Sequence, residues 1–430
     1  MDLEQQVMKR VMFRLMPVLI ICYLISYIDR SNLAVAALAM NRELGLSPTD
    51  YGFAAGIFFL GYVICEIPSN IFLSKLGARL WISRIMLTWG LLSGAMAFAV
   101  GAKSLFTLRV LLGIAEAGLF PGLIYYISFW FPSTYRARAF GYFLVAIPLS
   151  IVIGAPVSAS ILYMDGVGGL SGWQWVFVIE AAPAVFFAFF CFFFLTDTPA
   201  QATWLDEPER KWLIARLARD VEHVESHGRG EIMAAFVHPR VWLLSLINVA
   251  LIACSYGCVF FLPLIVSEFG FSKMQTGLIT ALPFLAGAIS MIVWGRKSDR
   301  AGERKLHLIL PLLVAVAGFA IAAESDTVTL KMIGLGLAAC GTFASLPPFW
   351  SLPPMFLKGT GAAAGIAMIN TIGSLAGFGA PYLMGYVKQH TGSYALGLMI
   401  IGASALSAAV LALRIRSDEL AVSRAAQFDR

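Results

Sequence analysis

The chain has 430 residues, 59% of them hydrophobic and 13% aromatic, with only 13% charged, against about 25% charged in an ordinary soluble domain. This excludes a water-soluble globular protein, and the net charge of +6 reads as a topology signal that requires no nucleic acid. A spanning helix needs about 20 mostly apolar residues, and the sequence supplies a dozen such stretches with little polypeptide left for a soluble domain.

The first stretch, near 15–36, contains MPVLIICYLISYI and then carries Asp29 and Arg30 where a hydrophobic helix should still be running. It is long and lacks a small-residue cleavage site, so it reads as a retained helix and not as a signal peptide. Spans follow near 51–73, 80–101, 105–130, 139–162 and 173–196. In the fourth, Arg109 and Glu116 are two turns apart on one face, roughly 10.5 Å along the axis, and Gly113 and Gly118 would let a helix or ligand approach closely. Glu66, just before Pro68 in the second span, and Glu180 in the sixth read as structural.

A long polar segment, 197–240, begins TDTPAQATWLDEPERKWLIARLARD and passes through HVESHGRG. Trp204, Leu205, Trp212, Leu213 and Leu217 are spaced like one face of a surface helix. The predicted organisation is an N-terminal six-helix half (1–197), a cytoplasmic linker with an amphipathic helix (198–239), and a C-terminal six-helix half with a short cytoplasmic tail (240–430). The second half has spans near 241–267, 276–295, 307–323, 329–351, 361–386 and 393–414 and no acid deep in any of them. Its intramembrane polar groups are Asn248, Tyr256, Ser345, Trp350, Asn370, Thr371 and Ser374. Glycine and proline runs at 152–156, 346–354 and 373–381 read as hinges and close helix contacts.

With the N-terminus inside, 24 of the 31 basic residues fall in cytoplasmic segments, Arg138, Lys358 and the tail arginines among them. That excess predicts both termini inside and an even number of helices. The six cysteines all lie in spans and read as small packing residues. The five histidines fall in loops or at helix ends, and neither a nucleophile–base pair nor a metal cluster is visible. An enzyme, a metal and a cofactor are therefore not expected.

Residues 295–304 read GRKSDRAGER, and residues 70–79 read NIFLSKLGAR. At a shift of 225, Gly302 matches Gly77, Arg300 matches Lys75 and Arg304 matches Arg79, whereas Asp299 becomes Ser74 and Gly295 becomes Asn70. GxxxDRxGxR after the second helix of each half resembles the signature of the major facilitator superfamily. The resemblance implies an all-α integral membrane protein of 12 transmembrane helices in two six-helix halves. It also implies a conformational latch at Gly77, Arg79, Gly295, Asp299, Arg300, Gly302 and Arg304. In it the tight turn needs Gly, and the Asp can cap a helix while pairing with Arg across the half.

Within that superfamily the chain is similar to the anion:cation symporters, and among them to bacterial tartrate-type permeases. The similarity rests on YIDRSN (27–32), PSNIFLSKLGAR (68–79), RVLLGIAEAGLFPG (109–122), WFPSTYRARA (130–139), GWQWVFVIEAAPA (172–184) and the stretch 347–381. It implies proton-coupled uptake of a small organic anion by a monomer in the inner (plasma) membrane, through alternating access between the halves. Arg30 would take the substrate carboxylate, because a guanidinium presents a planar fork to it, and Asp29 and Glu116 would carry protons. Arg109 would keep Asp29 or Glu116 ionised until drawn away, since a nearby cation favours a charged carboxyl and burial disfavours it. Tyr27, Tyr62, Trp350 and Asn370 would also touch the substrate.

The blander alternative for the four charges is a buried ion network that pins helices together. Tartrate or a related hydroxy or sugar acid is the first expectation; an aromatic acid such as hydroxyphenylacetate or phthalate, stacked on the tyrosines, is the second. Exchange without protons and a membrane carboxylate sensor stay open. Drug export is disfavoured, because GAPVSAS at 154–160 lacks the GPxxGG run of such exporters.

Overall fold

In lipid every backbone N–H and C=O has to be satisfied within the chain, and a helix does this segment by segment. The computed structural model accordingly consists of helices and short connections; it describes residues 3–132, 135–136, 139, 143–222, 236–357 and 359–415. Arg138, the HVESHGRG segment of the linker, Lys358 and the tail arginines Arg416, Arg424 and Arg430 lie outside the described residues. Among the described residues, twelve spans are long and apolar enough to cross a membrane, the number expected from the sequence.

The first half contains α1 (Leu3–Glu43), α2 (Pro48–Leu76), α3 (Ala78–Ala95), α4 (Ala102–Glu116), α5 (Leu119–Trp130), α6 (Ala146–Ile161) and α7 (Gly172–Phe194). The linker holds α8 (Glu207–Glu222). The second half contains α9 (Pro239–Ser267), α10 (Lys273–Ala301), α11 (Lys305–Glu324), α12 (Val328–Trp350), α13 (Gly359–Thr391) and α14 (Ala395–Ala412). Helices α4 and α5 together make one span, and a one-turn helix, Pro353–Phe356, follows α12. Several helices outrun their hydropathic core, α1 reaching 41 residues, because hydropathy marks only the part of a helix that lipid selects.

The helix starts at the end of the bundle away from the termini are written into the sequence. Capping boxes open α2 (Ser47 with Asp50), α7 (Ser171 with Gln174) and α10 (Ser272 with Gln275), each satisfying N–H groups that a first turn leaves free. The fourth span breaks at Ala117 and at Gly118, whose φ of 88° no side-chain-bearing residue adopts cheaply. Glu116 is the last residue before that break.

The two halves meet along three helix pairs. Helix α2 lies on α13 through Gly52, Gly56 and Gly377, where any Cβ would overlap the Pro381 carbonyl, the Phe378 carbonyl and the Phe59 ring respectively. Gly277 of α10 lies against Ala155 and Ala159 of α6, and α1 faces α9. Hydrogen bonds from the Thr49 N–H to Gln389 Oε1 (3.2 Å), from the Tyr51 hydroxyl to the Phe260 carbonyl (2.6 Å), and from Lys273 Nζ to the Leu162 carbonyl (3.5 Å) join the halves. The three hydrogen bonds and the Gly52 and Gly277 contacts lie at the end opposite the termini, so that end is sealed.

The linker helix is shorter than the apolar pattern suggested: α8 starts at Glu207, and Trp204 and Leu205 precede it. The apolar face also has a protein partner. Trp204 stacks on Trp130 at 5.3 Å, and the Arg14 guanidinium lies over Phe194 and Trp204 at 4.5 and 4.9 Å. Arg10 pairs with Asp206 (3.2 Å) and with Glu209, fastening the linker to the start of α1.

Close backbone packing of α4 on α2 depends on Gly113, where a Cβ would overlap the Phe58 carbonyl. Gly113→Val should lower the thermal stability of the purified protein by about 1–3 kcal/mol, the usual cost of overpacking. Gly379→Val, at a position facing open space, should leave the melting temperature nearly unchanged.

Candidate functional site

At mid-bundle, α1, α4 and α9 bring a buried cation and a buried carboxylate together. Arg30 contacts Glu116 Oε1 through Nη2 at 2.7 Å and Nε at 2.9 Å, and both residues are almost wholly inaccessible. The same oxygen accepts a bond from Ser26 Oγ (2.5 Å), one turn before Arg30 on α1. Oε2 of Glu116 is buried and has no hydrogen-bond partner. Because α4 ends at Glu116, the guanidinium also lies by a helix C-terminus, where a cation is favoured.

The remaining guanidinium nitrogen, Nη1, donates to the Tyr256 hydroxyl of α9 at 2.9 Å, and that hydroxyl lies 3.3 Å from the Tyr27 hydroxyl. The rings of Tyr27, Phe58 and Tyr62 stand 5.1–5.2 Å from the guanidinium carbon. Arg30 thus binds a carboxylate of its own half and a hydroxyl of the other half, inside an aromatic wall. Tyr256 was legible only as one of several intramembrane polar groups; its part at the centre comes from α9 packing on α1.

Asp29 and Arg30 are neighbours in sequence but not in space, because successive residues on a helix point about 100° apart. Asp29 faces α3, accepting bonds from Trp89 Nε1 (2.7 Å), Ser93 Oγ and Asn32 Nδ2 (3.2 Å). Asp29 and Arg30 therefore form no ion pair with each other among the described residues. Trp89 and Ser93, one turn apart on α3, escaped the sequence reading, although their i, i+4 spacing in an apolar span was visible.

Arg109 makes no direct ion pair with Asp29 or Glu116 among the described residues; it donates from Nε to the Ala54 carbonyl (3.0 Å) and from Nη2 to the Ala55 carbonyl (3.3 Å) of α2, beneath the Phe58 ring. Two helical turns separate it from Glu116, and the α2 backbone comes closer than either acid. Its Nη1 is buried without a partner.

Glu66 of α2 reaches across to the other half, accepting from Asn370 Nδ2 (2.8 Å) and Thr371 Oγ1 (3.0 Å) of α13. Glu180 accepts from Ser158 Oγ at 2.6 Å, joining α7 to α6. Trp350 closes α12 with its ring edge-on to Phe349 at 5.2 Å.

The repeated loops are both glycine turns with an acid–arginine contact, built differently. In the second half Gly302 has φ 60° and ends α10, and Arg304 pairs with Asp299 at 2.7 Å and donates to Ser298 Oγ at 2.9 Å. Asp299 does not cap the next helix. Glu303 does, accepting from the N–H groups of Leu306 (2.7 Å) and His307 (3.2 Å) and from the His307 ring (2.8 Å), since it stands closer to the start of α11. Burial pushes the Glu303 carboxyl up, but these bonds outweigh it and hold it below its ordinary value, so the cap is strongest above that range and weakens on acidification. Gly295 packs against Pro347 of α12, and Arg300 is exposed.

In the first half Gly77 has φ 89°, and the carboxylate missing at Ser74 comes from Asp197, beyond α7. Asp197 accepts the Arg79 N–H at 2.8 Å and stands 3.8 Å from the Arg79 side chain. TDTP at 196–199 carried this acid in plain sight, but no local spacing ties it to Gly77.

A family description, Major Facilitator Superfamily, matches residues 19–381. The chain belongs to the Major Facilitator Superfamily. A "Putative tartrate transporter" of Agrobacterium vitis is 45% identical over 426 residues, covering 98% of this chain and 94% of that protein. A "Quinolone resistance transporter" of Acinetobacter baumannii is 38% identical over 402 residues, covering 93% of each. Among solved structures, the xylose transporter XylE from E. coli, in a partially occluded inward open conformation, superposes with a TM-score of 0.75 at 15% identity, over 94% of this chain and 98% of that one. The last likeness concerns the fold alone. This facilitator is a multi-pass secondary transporter, and not an enzyme.

If Asp197 replaces the missing loop acid, Asp197→Ala should cost about 0.5–2 kcal/mol, the range for losing an N-terminal cap. Ser74→Ala should cost much less. Thermal unfolding of the two purified variants against the wild type checks this.

Proposed function

We propose that this facilitator takes up a small organic anion together with protons, in the inner membrane, with both termini cytoplasmic and the sealed end facing outward. The observation that carries the reading is the Arg30–Glu116 pair. A buried guanidinium suits a carboxylate bidentately, and here it is held by an internal carboxylate that a substrate could replace. Breaking such a pair without compensation leaves a buried charge and costs about 3–5 kcal/mol. A proton removes that penalty on the acid side, and Oε2 of Glu116, which has no partner, can accept one without losing a hydrogen bond. Substrate on Arg30 and a proton on Glu116 are then two halves of one exchange.

Asp29 is the second proposed proton site, and its two donors on α3, Trp89 and Ser93, would register its change of charge there. Arg109, tied to α2 carbonyls, keeps the α2–α4 contact and adds positive potential near Asp29 and Glu116. Tyr27, Tyr62, Trp350 and Asn370 are proposed as further substrate contacts, joined by Tyr256. A hydroxy acid of the tartrate type is the first candidate, in keeping with the name of the Agrobacterium vitis relative. The aromatic wall of Tyr27, Phe58 and Tyr62 around Arg30 favours an aromatic carboxylate as the second reading.

Purified protein in liposomes, with a pH-sensitive dye inside and labelled tartrate outside, tests the scheme. Arg30→Ala should abolish tartrate binding. Glu116→Gln should still bind but lose accumulation driven by a proton gradient; normal accumulation by Glu116→Gln would remove the proton role. Tartrate flux without dye response would point to exchange.

A further inference from the structure

Glu66 stands outside the scheme above, yet its geometry repeats that of Glu116. Each is a buried glutamate of the first half that occupies hydrogen-bond donors proposed to meet the substrate: Glu116 holds Arg30, and Glu66 holds Asn370 Nδ2 and Thr371 Oγ1. Asn370 and Thr371 are half-buried and Glu66 is 4% exposed, so the bridge crosses between the halves with its acid end buried. Glu66 lies one turn beyond Tyr62 on α2, about 6 Å along the axis, and the Tyr62 ring is 5.2 Å from the Arg30 guanidinium carbon. The two occupied donor sets therefore stand side by side.

We propose that Glu66 is a second internal stand-in for substrate, and that the transported anion is a short dicarboxylate whose two carboxylates displace Glu116 from Arg30 and Glu66 from Asn370 and Thr371. The inference rests on Arg30 receiving a carboxylate, as proposed above. As the second carboxylate arrives, Glu66 gives up its two acceptor bonds and takes one proton from water. The negative charge next to Asn370 then passes from the protein to the substrate, and the site keeps the same net charge. The charged and titratable groups that act on Glu66 are Tyr62 on its own helix and Arg30 of α1; α13 presents Asn370 and Thr371, which do not titrate. The nearest acid of the scheme above, Glu116 of α4, faces the Arg30 donor set.

A carboxylate that must be protonated before it lets go makes dicarboxylate binding weaken as pH rises. A monocarboxylate that fills only the Arg30 side is indifferent to Glu66. The test is the dissociation constant of the full-length protein for tartrate and for glycerate, from about pH 6 to about pH 8. Glu66→Gln should bind tartrate about tenfold or more tightly than wild type at the upper end, and its slope of log Kd against pH should fall by about one proton. Glycerate binding should keep its wild-type affinity and slope. Glu66→Asp, which keeps the charge, should retain the wild-type slope. Asn370→Ala, which leaves Glu66 in place and also reports should Glu66→Gln not fold, should weaken tartrate far more than glycerate.

An unchanged tartrate slope in Glu66→Gln, or equal effects on the two anions in Asn370→Ala, would overturn the proposal and leave Glu66 a structural clasp. If wild type bound neither anion, the reading of Arg30 would fall first and this one with it. If wild type bound both and only the Glu66 and Asn370 variants failed to discriminate, the reading of Arg30 would stand.

Discussion

A charge buried in a membrane protein has to be neutralised nearby, and here one guanidinium organises the middle of the molecule. Arg30 gathers Ser26 and Glu116 from its own half and the Tyr256 hydroxyl from the other, under three aromatic rings. The break in the fourth span follows from this demand. With α4 ending at Glu116 and the chain turning at Gly118, the carboxylate and the helix C-terminus both face the cation. The tight α2–α4 contact through Gly113 and Arg109 then holds Glu116 at the right depth.

The sealed end of the bundle is made of a different material. There the halves touch through glycine, alanine and backbone carbonyls, with few hydrogen bonds and no ion pair of one half with the other among those described. Contacts of this kind depend on shape and can separate without stranding a charge. The middle depends on hydrogen-bonded acids, where separation leaves a buried polar or charged group unpaired. Shape and charge thus hold different layers of the same interface.

Much of the fold was legible because lipid imposes a simple rule: twelve apolar stretches became twelve spans. The intramembrane charges were equally visible, since Asp29, Arg30, Arg109 and Glu116 stand out against an apolar background. What sequence could not give was direction. Asp29 and Arg30 part company through helix geometry, and Arg109 prefers α2 carbonyls because the Gly113 contact brings that backbone closer than either acid. Glu66 read as structural when only its neighbour Pro68 was in view; its partners lie about three hundred residues away. Tyr256 and Asp197 share that fate, as does Trp204 of the linker, which stacks on Trp130 under the Arg14 guanidinium.

The two glycine turns differ in where their acid comes from, and that difference has a mechanical side. In the second half Asp299, in the last turn of α10, and Arg304 flank the same glycine turn, so the turn is self-contained. In the first half the acid is Asp197, the last anchored point before the chain leaves for the linker, and the linker is itself fastened to α1 through Arg10. The first half is therefore cinched into a closed ring, its beginning, its inner turn and its exit all tied together. A pull through the linker as the halves rock would be felt first at the α2–α3 turn, while the corresponding turn of the second half stays slack.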